Sequence, residues 1–123
     1  MAALSFKQRF AGKIRNGQKR QTIRAIRKYP ITPGETLYLY VGQRTKHCEK
    51  LREVKCSHTK PISIYFNVVV DRIVIDNTLT LDELMDLDWF AKSDGFRDWN
   101  DMRDFWIENH PGKGSFHGQL ITW

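Results

Sequence analysis

The order of the elements that can be read from this sequence constrains the fold more than any other feature. Three strand-like segments follow one another between residues 36 and 75, before two helical segments and a last strand. Strands that cluster along the sequence favour an antiparallel sheet or a small barrel over a parallel, doubly wound sheet. We therefore expect an α+β fold, in which about three helices flank a small, mostly antiparallel β-barrel.

Apolar periodicity predicts the bounds of the first elements. Phe6, Phe10 and Ile14 recur every four residues, which predicts a helix over about residues 4–16. Gly17 would end that helix in the left-handed conformation. An extended stretch follows to Ile26, with Thr22 and Arg24 on one side of it.

Composition and turn residues predict the remaining elements. We expect strands over residues 36–41 and 51–56, a turn over 57–61, and one or two strands over 62–75 with a break at Asn67 or Asp71. Thr80-Leu81-Asp82-Glu83 fits a capping box, so a second helix should begin near Thr80. A third helix is expected over 98–109 and a last strand over 115–122. Five aromatic residues are expected mainly in the core: Trp89, Phe90, Trp99, Phe105 and Trp106.

Positive charge is concentrated in the first half of the chain. Residues 1–60 hold 15 Lys and Arg against three acids, whereas residues 61–123 hold five against eleven. The first acid, Glu35, follows nine basic residues. If the two halves fold together, one face is strongly positive, which favours a polyanion such as nucleic acid as a partner.

Length and composition indicate one folded domain over residues 1–123. The chain is 41% hydrophobic and 28% charged, as in globular proteins, and has no apolar run near the roughly 20 residues that span a membrane. It begins without a signal-peptide pattern, so we expect a cytoplasmic protein with no membrane partner. Cys48 and Cys56 are flanked by His47 and His58, but adjacent ligands rarely reach one metal, so we expect free thiols. No metal and no cofactor is predicted.

The motif that carries candidate chemistry is G-x-K-x-x-T-x-R, from Gly17 to Arg24. On an extended backbone Thr22 and Arg24 point the same way, and Lys19 can turn back toward that face. A primary amine beside a hydroxyl can act as general base for a nucleophile, provided that its pKa is lowered. The same residues also fit a basic loop followed by an ordinary strand threonine.

This motif resembles the ASCH family, which belongs to the PUA-like superfamily of small β-barrels associated with RNA. The resemblance covers nearly the whole chain. It is carried in order by Ile14-Arg15-Asn16-Gly17-Gln18-Lys19, Thr22-Ile23-Arg24, Pro33-Gly34-Glu35-Thr36-Leu37, Val41-Gly42-Gln43-Arg44, Asp94-Gly95-Phe96 and His110-Pro111. The Arg44-Thr45-x-x-Cys48 loop and the small size also resemble phage-encoded members, so a phage or prophage origin is part of this expectation.

The resemblance implies an activity. Small bacterial members are amidohydrolases that remove the acetyl group of N4-acetylcytidine, using a lysine, a threonine three residues later and a distant glutamate. Carried over to this chain, Lys19 is the proton acceptor, Thr22 the nucleophile, and Asp94, in place of the glutamate, the proton donor. The expected substrate is RNA or a nucleoside, and four residues are expected to contact it: Arg20, Arg24, Arg44 and Phe96.

Two other functions remain open from the sequence. A non-catalytic RNA-binding module would use the basic half for phosphates and hold a base in the cleft without reacting. A ribonuclease of the same family would use Lys19 and Arg24 to stabilise a phosphorane, with Asp94 handling protons. Salt-dependent RNA binding and turnover of a free nucleoside would separate these functions.

Overall fold

The computed structural model describes residues 2–42, 45–66 and 70–123, which form eight strands and three α-helices. The strands are β1 Ala2–Phe6, β2 Gln21–Arg24, β3 Thr36–Val41, β4 Glu49–Lys55, β5 His58–Phe66, β6 Asp71–Ile75, β7 Leu79–Leu81 and β8 Ser115–Thr122. The helices are α1 Ala11–Arg15, which follows a 3₁₀ turn over Gln8–Phe10, α2 Leu84–Ser93 and α3 Trp99–Asn109.

The strands form two separate sheets. One has the order β1-β3-β4, with β1 parallel to β3, and the other has the order β2-β8-β5-β6-β7 with every pair antiparallel. The α+β class and the mostly antiparallel pairing are therefore confirmed. The expected closed barrel is wrong for the part of the chain that the structure describes, because the second sheet ends in the short strands β2 and β7, which do not pair with the first sheet.

The first element differs from its prediction. Residues 4–6 belong to strand β1, which alternates buried and exposed side chains and pairs with β3 from Ala2–Leu37 to Phe6–Val41. Helical structure begins only at Gln8, and Gly17 follows it with φ +82°, the expected left-handed conformation. The prediction was wrong because apolar residues four apart also fit a strand, in which residues an even number apart share a face.

Further along the chain, three predicted elements have the expected bounds or nearly so: β3, α3 and β8. The predicted turn over 57–61 is wrong, because β5 begins at His58 and pairs there with Thr122 of β8. The predicted helix start near Thr80 is also wrong, since residues 79–81 pair with β6 as strand β7. Of the two proposed breaks, Asp71 begins β6, whereas Asn67 lies outside the described residues.

The core lies where the two sheets and the helices meet. Its most deeply buried side chains are Leu4, Ile14, Leu37, Leu39, Ile62, Ile64, Ile73, Met102 and Ile121. Phe90, Trp99 and Trp106 are buried as predicted, and Phe105 is partly buried against the core. Trp89 is 64% exposed, so its predicted core position is wrong. No helix among the described residues is long and apolar enough to span a membrane.

Candidate active site

Three polar side chains are buried in the described part of the chain, and they are the three predicted catalytic residues. Lys19, Thr22 and Asp94 are 2%, 5% and 4% exposed. All three line a single cleft of about 410 Å³. Buried ionisable groups that meet in a cleft are typical of functional sites.

The local fold explains how these residues meet. The turn after α1 is closed by a hydrogen bond from the Lys19 N–H to the Lys13 carbonyl at 3.0 Å, which directs the Lys19 side chain inward. Thr22 lies in β2 opposite Ile121 of β8. Asp94 directly follows the last residue of α2, and its N–H donates to the Phe90 carbonyl at 3.0 Å. Residues 75 positions apart in the chain thus meet in one cleft.

Lys19 and Asp94 are in direct contact. The Lys19 amine donates to Asp94 Oδ1 at 3.3 Å and to the Asp94 backbone carbonyl at 2.5 Å. The Gln21 amide donates to the same Oδ1 at 3.4 Å. The Lys19 Nζ also lies 4.9 Å from the centroid of the Phe10 ring, so an aromatic face covers the amine.

Burial moves both members of this pair toward their neutral forms. Removal from water lowers the pKa of Lys19 and raises the pKa of Asp94, and the attraction between the two residues opposes both shifts. The nearby cations Arg24 and Lys13 lower the pKa of Lys19 further. Burial therefore moves the Lys19 amine toward the form that can accept a proton and the Asp94 carboxyl toward the form that can donate one.

Arg24 is the polar partner of Thr22. Its Nε donates to Thr22 Oγ1 at 3.1 Å, which confirms that the two side chains share a face, and its Nη2 donates to the Ser5 carbonyl at 2.6 Å. Burial lowers the pKa of Arg24 to about 10, so the guanidinium is charged at neutral pH. The hydroxyl accepts from Arg24 and keeps its own hydrogen for another acceptor. In the described structure the Lys19 amine donates to Asp94 and not to Thr22.

Aromatic side chains form most of the remaining wall of the cleft. Phe96, which was predicted to contact the substrate, packs edge-to-face on Phe10 with ring centroids 5.2 Å apart. The other lining aromatics are Phe6, Phe105, Trp106 and Phe116, and the polar lining includes Ser5, Lys7, Asn109 and His110. Apart from Phe96, none of these was predicted as a binding residue, because the sequence signals only that aromatics tend to be buried.

Gln21 is a further site residue that the sequence did not reveal. It precedes Thr22 in β2, and a regular strand would direct it to the opposite face. Its contact with Asp94 depends on how the loop after α2 packs against the start of β2. No local pattern in the sequence signals that packing.

The two other predicted binding residues are Arg20 and Arg44. Arg20 is exposed and lines a separate groove of about 730 Å³, so any contact of Arg20 with nucleic acid would be made in that groove and not in the cleft. Arg15, Arg52, Lys55 and Trp123 also line this groove, which we call the basic groove. Arg44 lies outside the described residues.

Metal-ligating side chains do not cluster in the described part of the chain. No group of three or more His, Cys, Asp or Glu residues is arranged there to hold a metal ion. Cys56 is buried and its thiol donates to the His58 carbonyl at 3.5 Å, whereas Cys48 is exposed.

Comparisons of this chain with models of protein families, with curated proteins and with solved structures found no match.

Proposed function

We propose that this chain is an ASCH-type, PUA-like domain that hydrolyses the N4-acyl amide of N4-acetylcytidine. The observation that carries the proposal is the burial of Lys19, Thr22 and Asp94 along one aromatic cleft. The family assignment depends on the motif resemblance, and the reaction depends on the chemistry of these three groups.

The proposed reaction begins at the threonine. Thr22 Oγ1 attacks the acyl carbon while its proton passes to the neutral amine of Lys19. Arg24 Nε lies 3.1 Å from Thr22 Oγ1, so its charged guanidinium is close enough to stabilise the negative charge that develops on the acyl carbonyl oxygen. For Lys19 to accept the proton, its amine has to rotate a lone pair toward Thr22 while keeping its contact with Asp94.

Asp94 then supplies the proton that the leaving group needs. The bond between the acyl carbon and N4 breaks as the Asp94 carboxyl protonates N4, which releases cytidine and leaves an ester on Thr22. The proton held by Lys19 returns to Asp94 through their 3.3 Å hydrogen bond. Water, activated by the neutral amine, hydrolyses the ester to acetate and restores the hydroxyl.

The shape of the cleft supports a pyrimidine substrate. The phenylalanine and tryptophan side chains along the cleft give it apolar walls, which suit a flat, uncharged ring. A cleft of about 410 Å³ lies within the usual range for small-molecule sites. The lysine, asparagine and histidine of its polar lining offer hydrogen-bonding groups to a ribose or a phosphate.

The test is release of cytidine from N4-acetylcytidine by the wild-type protein and by Lys19→Met, which keeps much of the side-chain volume but has no amine. We expect turnover by the wild type and a loss of about 10²–10⁴-fold in kcat for Lys19→Met. Arg20→Ala is the matched control, because it removes the adjacent cation, which lies outside the cleft, and should leave turnover unchanged. No turnover by the wild type, or equal turnover by Lys19→Met, rejects the proposal.

A specific observation also supports the second candidate, a non-catalytic RNA-binding module. Among the described residues Arg20, Arg52 and Lys55 of the basic groove form no ion pair, and the groove's single acid, Glu53, is paired with Lys50 at 3.2 Å. Unpaired cations along a groove attract a phosphate backbone. Binding of a single-stranded RNA without nucleoside turnover would favour this module, and cleavage of that RNA would favour a ribonuclease.

A further inference from the structure

The large apolar side chains that are exposed in the described residues fall mainly into two segments of opposite charge. One is the outer surface of α2, where Leu84, Met85 and Trp89 are 62%, 80% and 64% exposed. Met85 and Trp89 are four residues apart on the helix and therefore lie side by side. We call these three residues the α2 patch. Contiguous exposed apolar surface of this kind marks an interaction site more often than a scatter of single residues does.

Acidic side chains lie at the N-terminal end of the α2 patch. Asp82, Glu83 and Asp86 are exposed around the first turn of α2, and the first basic residue after them is Lys92 in its last turn. The partner of this patch is therefore expected to combine apolar side chains with positive charge, because like charges would oppose docking and opposite charges would guide it.

The second exposed apolar segment has that composition. Residues 25–30 are the first part of the connection from β2 to β3, and we call them the β2–β3 loop. They are all exposed and contain no acid. Ile26 and Tyr29 are 63% and 80% exposed, and Arg27 and Lys28 lie between them. The loop is held in place by a hydrogen bond from Arg27 Nη2 to the Ala3 carbonyl at 3.1 Å.

We propose that the α2 patch binds the β2–β3 loop of a second copy of this chain. Both surfaces are exposed in a single copy, so they do not cover each other within one molecule. Two apolar anchors on each side, Met85 and Trp89 against Ile26 and Tyr29, would be buried between opposite charges. Because the two surfaces differ, the contact either occurs twice in a two-fold dimer or repeats head-to-tail in a ring or an open chain. This inference does not depend on the proposed enzymatic function.

Sedimentation velocity over a range of protein concentrations tests the contact. We expect the wild-type protein to self-associate, and about 0.5 M salt to weaken the association, because it screens the charges around the patch. Met85→Ser/Trp89→Ser removes the patch and Ile26→Ser/Tyr29→Ser removes the anchors of the loop. Each double variant alone should lose self-association, with Kd raised at least about tenfold.

Mixing the two double variants gives the sharpest result. Each retains the surface that the other lacks, so an equimolar mixture should form a dimer and nothing larger. Ile107→Ser, at an exposed apolar position on α3 outside both surfaces, is the control and should associate like the wild type. All substituted side chains are exposed, and circular dichroism should show an unchanged fold.

Three results would overturn the inference. The first is a wild-type protein that stays monomeric up to about 1 mM, the concentration at which even weak contacts are populated. The second is a loop variant that still self-associates, which would mean that the patch pairs with itself. The third is a mixture of the two double variants that remains monomeric.

Discussion

Lys19 Nζ lies 3.3 Å from Asp94 Oδ1 at a position where both side chains are almost completely removed from water. Two charges at such a position lose their hydration, and their mutual attraction often fails to offset that loss. A neutral amine beside a protonated carboxyl avoids the loss and holds the same single proton. At a protein surface the same contact would be an ordinary ion pair. In this cleft it is consistent with a neutral amine that can act as a base and a protonated carboxyl that can act as an acid.

The first prediction concerns pH. The active form holds one proton on the pair: a fall in pH adds a second proton and charges Lys19, and a rise removes the last one and ionises Asp94. We expect a bell-shaped profile of kcat/KM. The acid limb reports protonation of Lys19 and should lie below the usual pKa of lysine, because burial lowers that pKa. The alkaline limb reports ionisation of Asp94 and should lie above the usual pKa of aspartate, because burial raises that pKa.

Measurement of cytidine release across the pH range gives this profile directly. Asp94→Asn should lose the alkaline limb, because an amide has no proton to lose at that step. A wild-type profile that is flat over the whole pH range in which the protein stays folded would show that neither group titrates in the reaction.

The second prediction separates the acid from a structural partner. Asp94→Asn retains a carbonyl oxygen that can accept from Lys19, but it cannot protonate a leaving amine. Turnover of N4-acetylcytidine should fall about 10²–10⁴-fold. Hydrolysis of an acetyl ester with a good leaving group, which needs no protonation, should fall by less than about tenfold if the fold is intact. Equal losses on the two substrates would assign Asp94 a structural role.

The third prediction concerns Gly95, which follows the proposed acid. Its φ is +95°, and a Cβ there would lie 2.9 Å from Lys19 Cδ and 3.1 Å from Phe10 Cδ1. Gly95→Ala should therefore lower the free energy of unfolding by about 1–3 kcal/mol and displace the Lys19 side chain. Urea denaturation measures the first effect and turnover the second.

Gly12→Ala is the matched control for that substitution. Gly12 lies in α1, and a Cβ added there would meet no neighbouring atom within 4 Å, so alanine should leave stability unchanged or raise it by about 0.5–1 kcal/mol. If Gly95→Ala is as stable and as active as Gly12→Ala, the close packing of the Gly95 backbone against Lys19 is not required.

The fourth prediction addresses the basic groove. If RNA crosses it, the double substitution Arg52→Gln/Lys55→Gln removes two phosphate contacts and lowers the salt slope of single-strand binding by about 1.4. Lys92→Gln, at an exposed position on α2, is the control and should leave the slope unchanged. Fluorescence anisotropy of a labelled RNA over a series of salt concentrations measures the slope. Equal slopes for the double variant and the wild type would exclude the groove as the path of the strand.

Local signals in the sequence were sufficient for some of the fold. Helix α3 was predicted with nearly its observed bounds, because Pro111 marks its end. In the structure Asp98 caps its start by accepting from the Asp101 N–H at 2.9 Å. Strand β3 alternates buried and half-buried side chains and strand β8 contains a short apolar run, and both patterns are typical of strands. Strand β7 was missed because Thr80 and Glu83 match a capping box, while pairing with β6 determines the actual structure.

The site was predictable to the extent that its residues are close in sequence. Lys19, Thr22 and Arg24 were identified from one motif, and Asp94 followed from a resemblance to a family pattern. Gln21 and the aromatic wall were not identified, because their places depend on contacts between segments that are distant in sequence. Arg20 lines a different groove from its neighbour Lys19, because adjacent residues in a turn can face opposite surfaces.

The most direct test of the central claim is the kcat/KM for N4-acetylcytidine of Thr22→Ala and Thr22→Ser, measured beside the wild type. Serine keeps the attacking oxygen and should retain activity within about tenfold, whereas alanine removes it and should lower kcat/KM by about 10³-fold or more. If Thr22→Ala remains within about tenfold of an active wild type, the buried hydroxyl is not the nucleophile and the proposed mechanism is wrong.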